Sequence, residues 1–222
     1  MSSDVEELRE RVARSFWQAE AVKVDLDQPF ELASGNRSPI YINCRLLISD
    51  PAFMGLYVEA ATTVLSASSV EFDAVAGGET AGIPYAAYLA QASGRSMLYV
   101  RKQAKGYGIA SKVEGRLEDG WRVLLVEDLI TDGGSKLGFV AALRAGDGVV
   151  DDALVLFDRQ QGGERLLGKH GVRLHSVTDR ATTLAVGEAL EALTADQSGE
   201  IERYFADPAR WHAARGFAFN SA

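Results

Sequence analysis

The apolar positions of this chain change spacing several times, and each change predicts an element. Val5, Leu8, Val12 and Phe16 recur at helical intervals behind Ser3 and Glu6, which stand at capping-box spacing, so a first helix is expected. From Val22 to Arg45 the pattern shortens to alternating segments broken by Pro29, Ser34-Gly35 and Ser38-Pro39. That predicts extended strands with a turn at Ser34–Pro39. Ser49-Asp50-Pro51 reads as a helix start, with the proline where its missing N–H costs nothing, and the helix should run to about Ala67. Beyond it, strands are predicted over Phe72–Ala76, Met97–Val100, Trp121–Val126, Ala153–Phe157 and Arg173–Val177. Helices alternate with them over Ile83–Ala92, Lys136–Ala145, Glu164–His170 and Thr182–Leu193. Repeated β-α-β order implies an α/β fold: a mostly parallel, doubly wound sheet with helices on both faces and right-handed crossovers. Ligands of such sheets bind outside the carboxyl ends of the strands. The segment 196–222 carries Trp211, Phe217 and Phe219 among charges and predicts one or two surface helices, an extension of the same domain as residues 1–195.

Composition narrows the class. A chain of 222 residues, 47% apolar and 24% charged, is an ordinary globular protein of one domain with a modest extension. No stretch approaches the roughly 18 apolar residues of a membrane span, so no membrane association is expected. The acidic start, Met-Ser-Ser-Asp-Val-Glu-Glu, lacks the apolar core of a signal peptide. A lone cysteine, Cys44, cannot form an internal disulfide; it is expected to be a small buried residue in a reduced, cytoplasmic setting. The net charge of −8 argues against nucleic acid as a partner. Against that acidic background, Arg101, Lys102, Lys105 and Lys112 cluster between Arg101 and Val113 with no acid among them. Such a stretch suits an anionic ligand; a solvated basic loop is the plainer alternative. His170, His175 and His212 suggest structural or solvated roles.

The most informative string is 123–135, Val-Leu-Leu-Val-Glu-Asp-Leu-Ile-Thr-Asp-Gly-Gly-Ser. Its apolar half suits a strand buried on both faces. Glu127 and Asp128 follow at the carboxyl end, and the small-residue turn Thr131 to Ser135 opens a helix. Turn amides and a helix N-terminus supply unpaired N–H groups and partial positive charge, as a phosphate requires. The acids would repel a phosphate, so they must face a metal, a ribose diol or a developing carbocation. A P-loop is excluded because Gly133-Gly134-Ser135-Lys136 is not Gly-Lys-Ser/Thr, and Gly106-Tyr107-Gly108 ends in Ser111, unlike a dinucleotide fingerprint.

This string resembles the phosphoribosyl-pyrophosphate (PRPP) signature of the type I phosphoribosyltransferases. Four further segments, in order, are similar to the orotate phosphoribosyltransferase branch: Phe30 to Tyr41, Gly77 to Pro84, Tyr99 to Gly115 and Phe157 to Gly163. The resemblance covers about residues 20 to 190. It implies conversion of orotate and PRPP to orotidine 5′-monophosphate and pyrophosphate in pyrimidine (UMP) biosynthesis, a glycosyltransferase (pentosyltransferase) reaction. A small N-terminal hood, about residues 20–45, would lie over the orotate ring through Tyr41 and Ile42. The PRPP set it implies comprises Glu79, Thr80, Arg101, Lys102, Lys105, Tyr107, Glu127, Asp128, Leu129, Ile130, Thr131, Asp132, Gly133, Gly134 and Ser135. Within that set Glu127 and Asp128 would hold the ribose hydroxyls, Thr131 to Ser135 the 5′-phosphate, and the loop of Glu79 and Thr80 the pyrophosphate. Arg159, with Thr131, would bind orotate, the guanidinium taking its carboxylate through two parallel N–H bonds.

The resemblance also assigns catalysis to Lys105, Arg101, Glu127 and Asp128; the first two lie on a mobile basic loop (101–113) that reaches the neighbouring subunit's site and so implies a homodimer. Magnesium would be bound mainly through PRPP and pyrophosphate, with no firm protein ligand. Three positions depart from the pattern. Ala81 stands where some relatives carry lysine, Tyr107 where many bacterial members carry histidine, and Asp132 inside the phosphate turn. The Asp132 side chain is expected to point outward, leaving its N–H to serve. A purine phosphoribosyltransferase and a PRPP-binding regulatory protein are the alternative readings.

Overall fold

The computed structural model describes residues 3–32, 34–103 and 112–220. Lys105 and Tyr107 lie outside the described residues. Helix α1 (Ser3–Gln18) presents Val5, Leu8, Val12 and Phe16 to the interior, the spacing that predicted it. Four short strands follow and build the hood. β1 (Val22–Val24) pairs antiparallel with β4 (Ile40–Ile42), and β2 (Phe30–Glu31) with β3 (Arg37–Ser38). The expected turn at Ser34–Pro39 is thereby corrected. The hairpin closes earlier, where Leu32 N–H donates to Asn36 at 2.8 Å and Gly35 adopts φ 81°. Arg37 and Ser38 are strand because Phe30 and Glu31 lie opposite them.

A 3₁₀ segment, Cys44–Ser49, leads into α2 (Pro51–Ala67). Asp50 caps α2 by accepting from Ala52 N at 2.9 Å and Phe53 N at 3.3 Å. The central sheet contains β5 (Ala74–Gly78), β6 (Ser96–Val100), β7 (Val113–Glu114), β8 (Arg122–Ile130), β9 (Val149–Asp158) and β10 (Arg173–Asp179). Their order is β10-β9-β8-β5-β6-β7, and only the β6–β7 pairing is antiparallel. Strand β7 is an addition to the sequence expectation, which treated that stretch as loop.

Two apolar layers cover the sheet. Leu124 and Val126 of β8 join the core beneath α1, α2 and α3 (Gly82–Ser93). Val123 and Leu125, pointing the other way, join Phe139, Val140 and Leu143 of α4 (Gly134–Arg144) and Leu167 of α5 (Gly163–Lys169). The period of two puts successive side chains on opposite faces, so a continuous apolar run serves both layers. β8 runs past its predicted end at Val126, because β9 still offers partners opposite Leu129 and Ile130, namely Phe157 and Asp158. Glu127 and Asp128 are therefore strand residues.

Helix α6 (Arg180–Ala189) follows β10, and α7 (Ala195–Ala206) and α8 (Pro208–Ala214) form the C-terminal part. That part grips the hood. His212, fully buried, accepts from Arg37 N–H through Nε2 at 2.9 Å and donates from Nδ1 to the Pro208 carbonyl at 2.6 Å. Asn36 and Asn220 exchange two hydrogen bonds, at 2.8 and 3.0 Å. His175 is also structural, 2.7 Å from Asp152. Among the described residues no helix is long and apolar enough to cross a membrane.

Candidate active site

The carboxyl ends of β8 and β9 and the hood strand β4 enclose a cleft of about 450 Å³. Of the residues singled out from sequence, Tyr41, Ile42, Asp128, Leu129, Thr131, Asp132, Gly133, Ser135 and Arg159 line it together. Glu127, Ile130 and Gly134 lie in the same strand and turn but are not on its wall. Glu79, Thr80, Arg101 and Lys102 stand beyond the carboxyl ends of β5 and β6, also off this wall.

The acid pair is divided by the strand itself. Adjacent residues on a strand point to opposite faces, and here Asp128 lines the cleft while Glu127 is buried. Glu127 Oε2 is 2.7 Å from Lys136 Nζ. Burial pushes the Glu127 carboxyl above its ordinary value, and the Lys136 charge opposes that shift without cancelling it. The other oxygen, Oε1, is packed against the Gly-rich loop: a Cβ on Gly78 would lie 2.0 Å from it and a Cβ on Gly82 2.6 Å. Those two glycines thus answer to a neighbouring carboxylate, a requirement that no local spacing reveals.

The small-residue turn 131–135 starts α4 with Gly133 in the left-handed region, φ 89°. The outward placement expected for Asp132 is corrected. Its Oδ1 folds back and accepts from Gly134 N–H at 2.9 Å. An N–H at a helix start has no partner within the helix, and a short carboxylate two residues earlier is the nearest acceptor.

Glu79 likewise uses its side chain locally, accepting from Lys102 N–H at 2.8 Å, and the Glu79–Thr80 peptide is cis. Arg101 lies 3.7 Å from Glu114 of β7. Arg159 follows the last residue of β9, its N–H donating to the Ile130 carbonyl at 3.1 Å. Burial lowers the pKa of its guanidinium, while the Tyr204 side chain acts the other way. Arg159, Thr131 and Asp132 also line an adjoining cavity of about 710 Å³ walled by Tyr204, Pro208 and Asn220.

Sequence reasoning missed Asn43, Cys44, Arg45 and Lys136 on the cleft wall. Lys136 had a signal, a cation one residue after the phosphate turn. Cys44 is buried, and burial pushes its thiol well up, with the charge of Asp128 adding to the effect.

A mostly parallel sheet whose central strand ends in an acid pair and a small-residue turn opening a helix, with a small N-terminal hood beside it, defines a type I phosphoribosyltransferase. No family model matches the chain. Its sequence is 41% identical over 211 residues to the orotate phosphoribosyltransferase of Rhizobium etli, covering 94% of this chain and 92% of that relative. The orotate phosphoribosyltransferase of Aeropyrum pernix superposes with a TM-score of 0.68 at 33% identity, over 81% of this chain and 99% of that one. The UMP synthase of Leishmania donovani superposes with a TM-score of 0.78 at 28% identity over 89% of this chain; the match spans 42% of that longer protein. The chain belongs to the orotate phosphoribosyltransferase family.

Proposed function

We propose that this protein transfers the 5-phosphoribosyl group of PRPP to orotate, giving orotidine 5′-monophosphate and pyrophosphate. The observation that carries this reading is a single cleft lined by the small-residue turn 131–135, a strand carboxylate, a half-buried arginine and an aromatic hood residue. A bond forms between the orotate ring nitrogen and the anomeric carbon as the bond from that carbon to pyrophosphate breaks. The nitrogen's proton leaves to solvent. The carbon passes through oxocarbenium character, so positioning and electrostatics carry the catalysis.

Each residue's role follows from its chemistry. Thr131, Gly133 and Ser135, with Leu129, Ile130, Asp132 and Gly134 shaping the turn, receive the 5′-phosphate. Asp128 accepts from the ribose hydroxyls, and Glu127 adds negative charge beneath the sugar from the next position of β8. Glu79 and Thr80 face the pyrophosphate, whose departing charge is met by Arg101, Lys102 and Lys105, with Tyr107 as a hydroxyl donor. Arg159 takes the orotate carboxylate beside Thr131, and Tyr41 and Ile42 cover the ring. Closure of the basic loop excludes water from the activated sugar.

Among the described residues no group of three or more His, Cys, Asp or Glu could cage a metal. Asp128 on the wall is a hard oxygen donor, which fits magnesium held chiefly by substrate oxygens and water. Bound so, the ion supplies neutralisation of the pyrophosphate charge. The basic loop 101–113 completes the site of a second copy in a homodimer, residues 1–195 form the transferase body with 196–222 as its extension, and the protein works in the cytoplasm. The net charge of −8 gives nucleic acid no broad basic face.

The test is loss of orotate absorbance on adding PRPP and magnesium, with uracil, hypoxanthine and adenine in parallel. Turnover of orotate alone is expected. Turnover of a purine without orotate would overturn the reading.

A further inference from the structure

The C-terminal helices, whose sequence suggested only surface packing, reach into the site. Tyr204 and Phe205 are neighbours on α7, and both stand beside Arg159. Tyr204 lines one cavity together with Arg159, and its side chain acts to raise the Arg159 pKa against the effect of burial. The Phe205 ring centroid lies 5.4 Å from Arg159 Cζ. The same ring carries a second guanidinium, Arg180, at 4.3 Å, and Arg180 Nη1 donates to the Arg159 carbonyl at 3.4 Å.

Tyr204 has little freedom to move. It is 3% exposed, and its ring packs at 5.1 Å from Phe205 and 5.2 Å from Trp211, centroid to centroid. Trp211 is held in turn by donating to Glu200 at 2.6 Å. Arg159 Nε is buried and has no hydrogen-bond partner among the described residues, although Arg159 lines the cleft. One side of the guanidinium is therefore engaged by α7, and a buried donor is left over.

We propose that Tyr204 and Phe205 are positioning residues that hold Arg159 ready for a substrate carboxylate, so that the C-terminal extension sets the affinity for the base-donating substrate. This rests on the reading of Arg159 as the carboxylate receptor for orotate. A guanidinium recognises a carboxylate by two parallel bonds only when its plane is oriented, and a long side chain left free must be ordered at the moment of binding. An aromatic face and a packed phenol on the same cavity wall supply that order beforehand.

Tyr204→Phe removes the hydroxyl and keeps the ring. The orotate KM of this variant is expected to rise about tenfold, as loss of one polar neighbour of a charged group implies, with kcat, the PRPP KM and the melting temperature nearly unmoved. Phe205→Leu keeps apolar volume but removes the face between the two guanidinium groups, and is expected to move the orotate KM in the same direction. An unchanged orotate KM in both variants would overturn the proposal. So would orotate and PRPP KM values rising together, because that pattern marks general loosening. The wild-type protein assayed alongside separates the failures: no orotate turnover there removes the underlying reading and this inference with it, whereas normal turnover with unaffected variants removes this inference alone.

Discussion

Lys136 Nζ stands 2.7 Å from Glu127 Oε2, with the two side chains only 12% and 7% exposed. The pair bolts the start of α4 to β8, so both ends of the phosphate turn are tied to one point. Breaking a buried pair by removing one partner costs about 3–5 kcal/mol when the other charge is stranded. The loss depends on pH. Burial already raises the Glu127 carboxyl above its ordinary value of 4.5, so the folded protein holds that proton more tightly than the unfolded chain. Stability therefore falls as pH rises above that value. Lys136→Met removes the opposing charge and widens the window. Its melting-temperature deficit relative to wild type should be larger at pH 8 than at pH 5. Equal deficits at the two pH values would contradict the pairing.

Gly78 is where the Gly-rich loop meets that pair. A Cβ there would lie 2.0 Å from Glu127 Oε1 and 2.6 Å from Phe139 Cε2. Gly78→Ala is expected to cost about 1–3 kcal/mol by overpacking. Gly55→Ala is the control: it lies within α2 and its Cβ would meet nothing within 4 Å. Helix propensity there should give a gain of about 0.5–1 kcal/mol. Chemical denaturation of both variants measures the contrast.

Asp132 occupies the Gly134 amide at 2.9 Å, as an anion would. Phosphate binding at this turn should compete with the carboxylate for that amide and meet its charge. Asp132→Ala frees the amide and removes the charge, so the PRPP KM should stay the same or fall, by up to about tenfold. Asp132→Asn keeps an acceptor but loses the charge, and should fall between. A large rise in PRPP KM for the alanine variant would show that the carboxylate helps binding.

Lys105 belongs to the basic loop assigned to the departing pyrophosphate. Loss of a preorganised charge partner should lower kcat of Lys105→Ala by about 10²-fold or more. The thermal transition should not change. Steady-state kinetics near wild type would remove Lys105 from the catalytic set.

Much of this molecule was legible along the chain. Asp50 and Pro51 announced α2, and the apolar run of β8 announced a strand buried on both faces. The ordered motifs announced the orotate phosphoribosyltransferase family. The errors share one cause. β8 outran its expected end because its partner β9 lies alongside it, and the hood turn was misplaced because Phe30 and Glu31 choose the residues opposite them. Local periodicity cannot register a partner that is distant in the chain.

Sequence alone determined the alternation of the main strands and helices, the small-residue turn at 131–135 and the side chains available at each strand end, since these depend on neighbours a few residues apart. Tertiary structure decided which member of the acid pair meets the cleft, because strand phase has meaning only once both faces of the sheet are packed. It also brought Lys136 to Glu127 and set Tyr204 and Phe205 against Arg159. These contacts arise where separate elements converge at the carboxyl edge of the sheet. Their geometry follows from packing, which the order of residues constrains only through the whole fold.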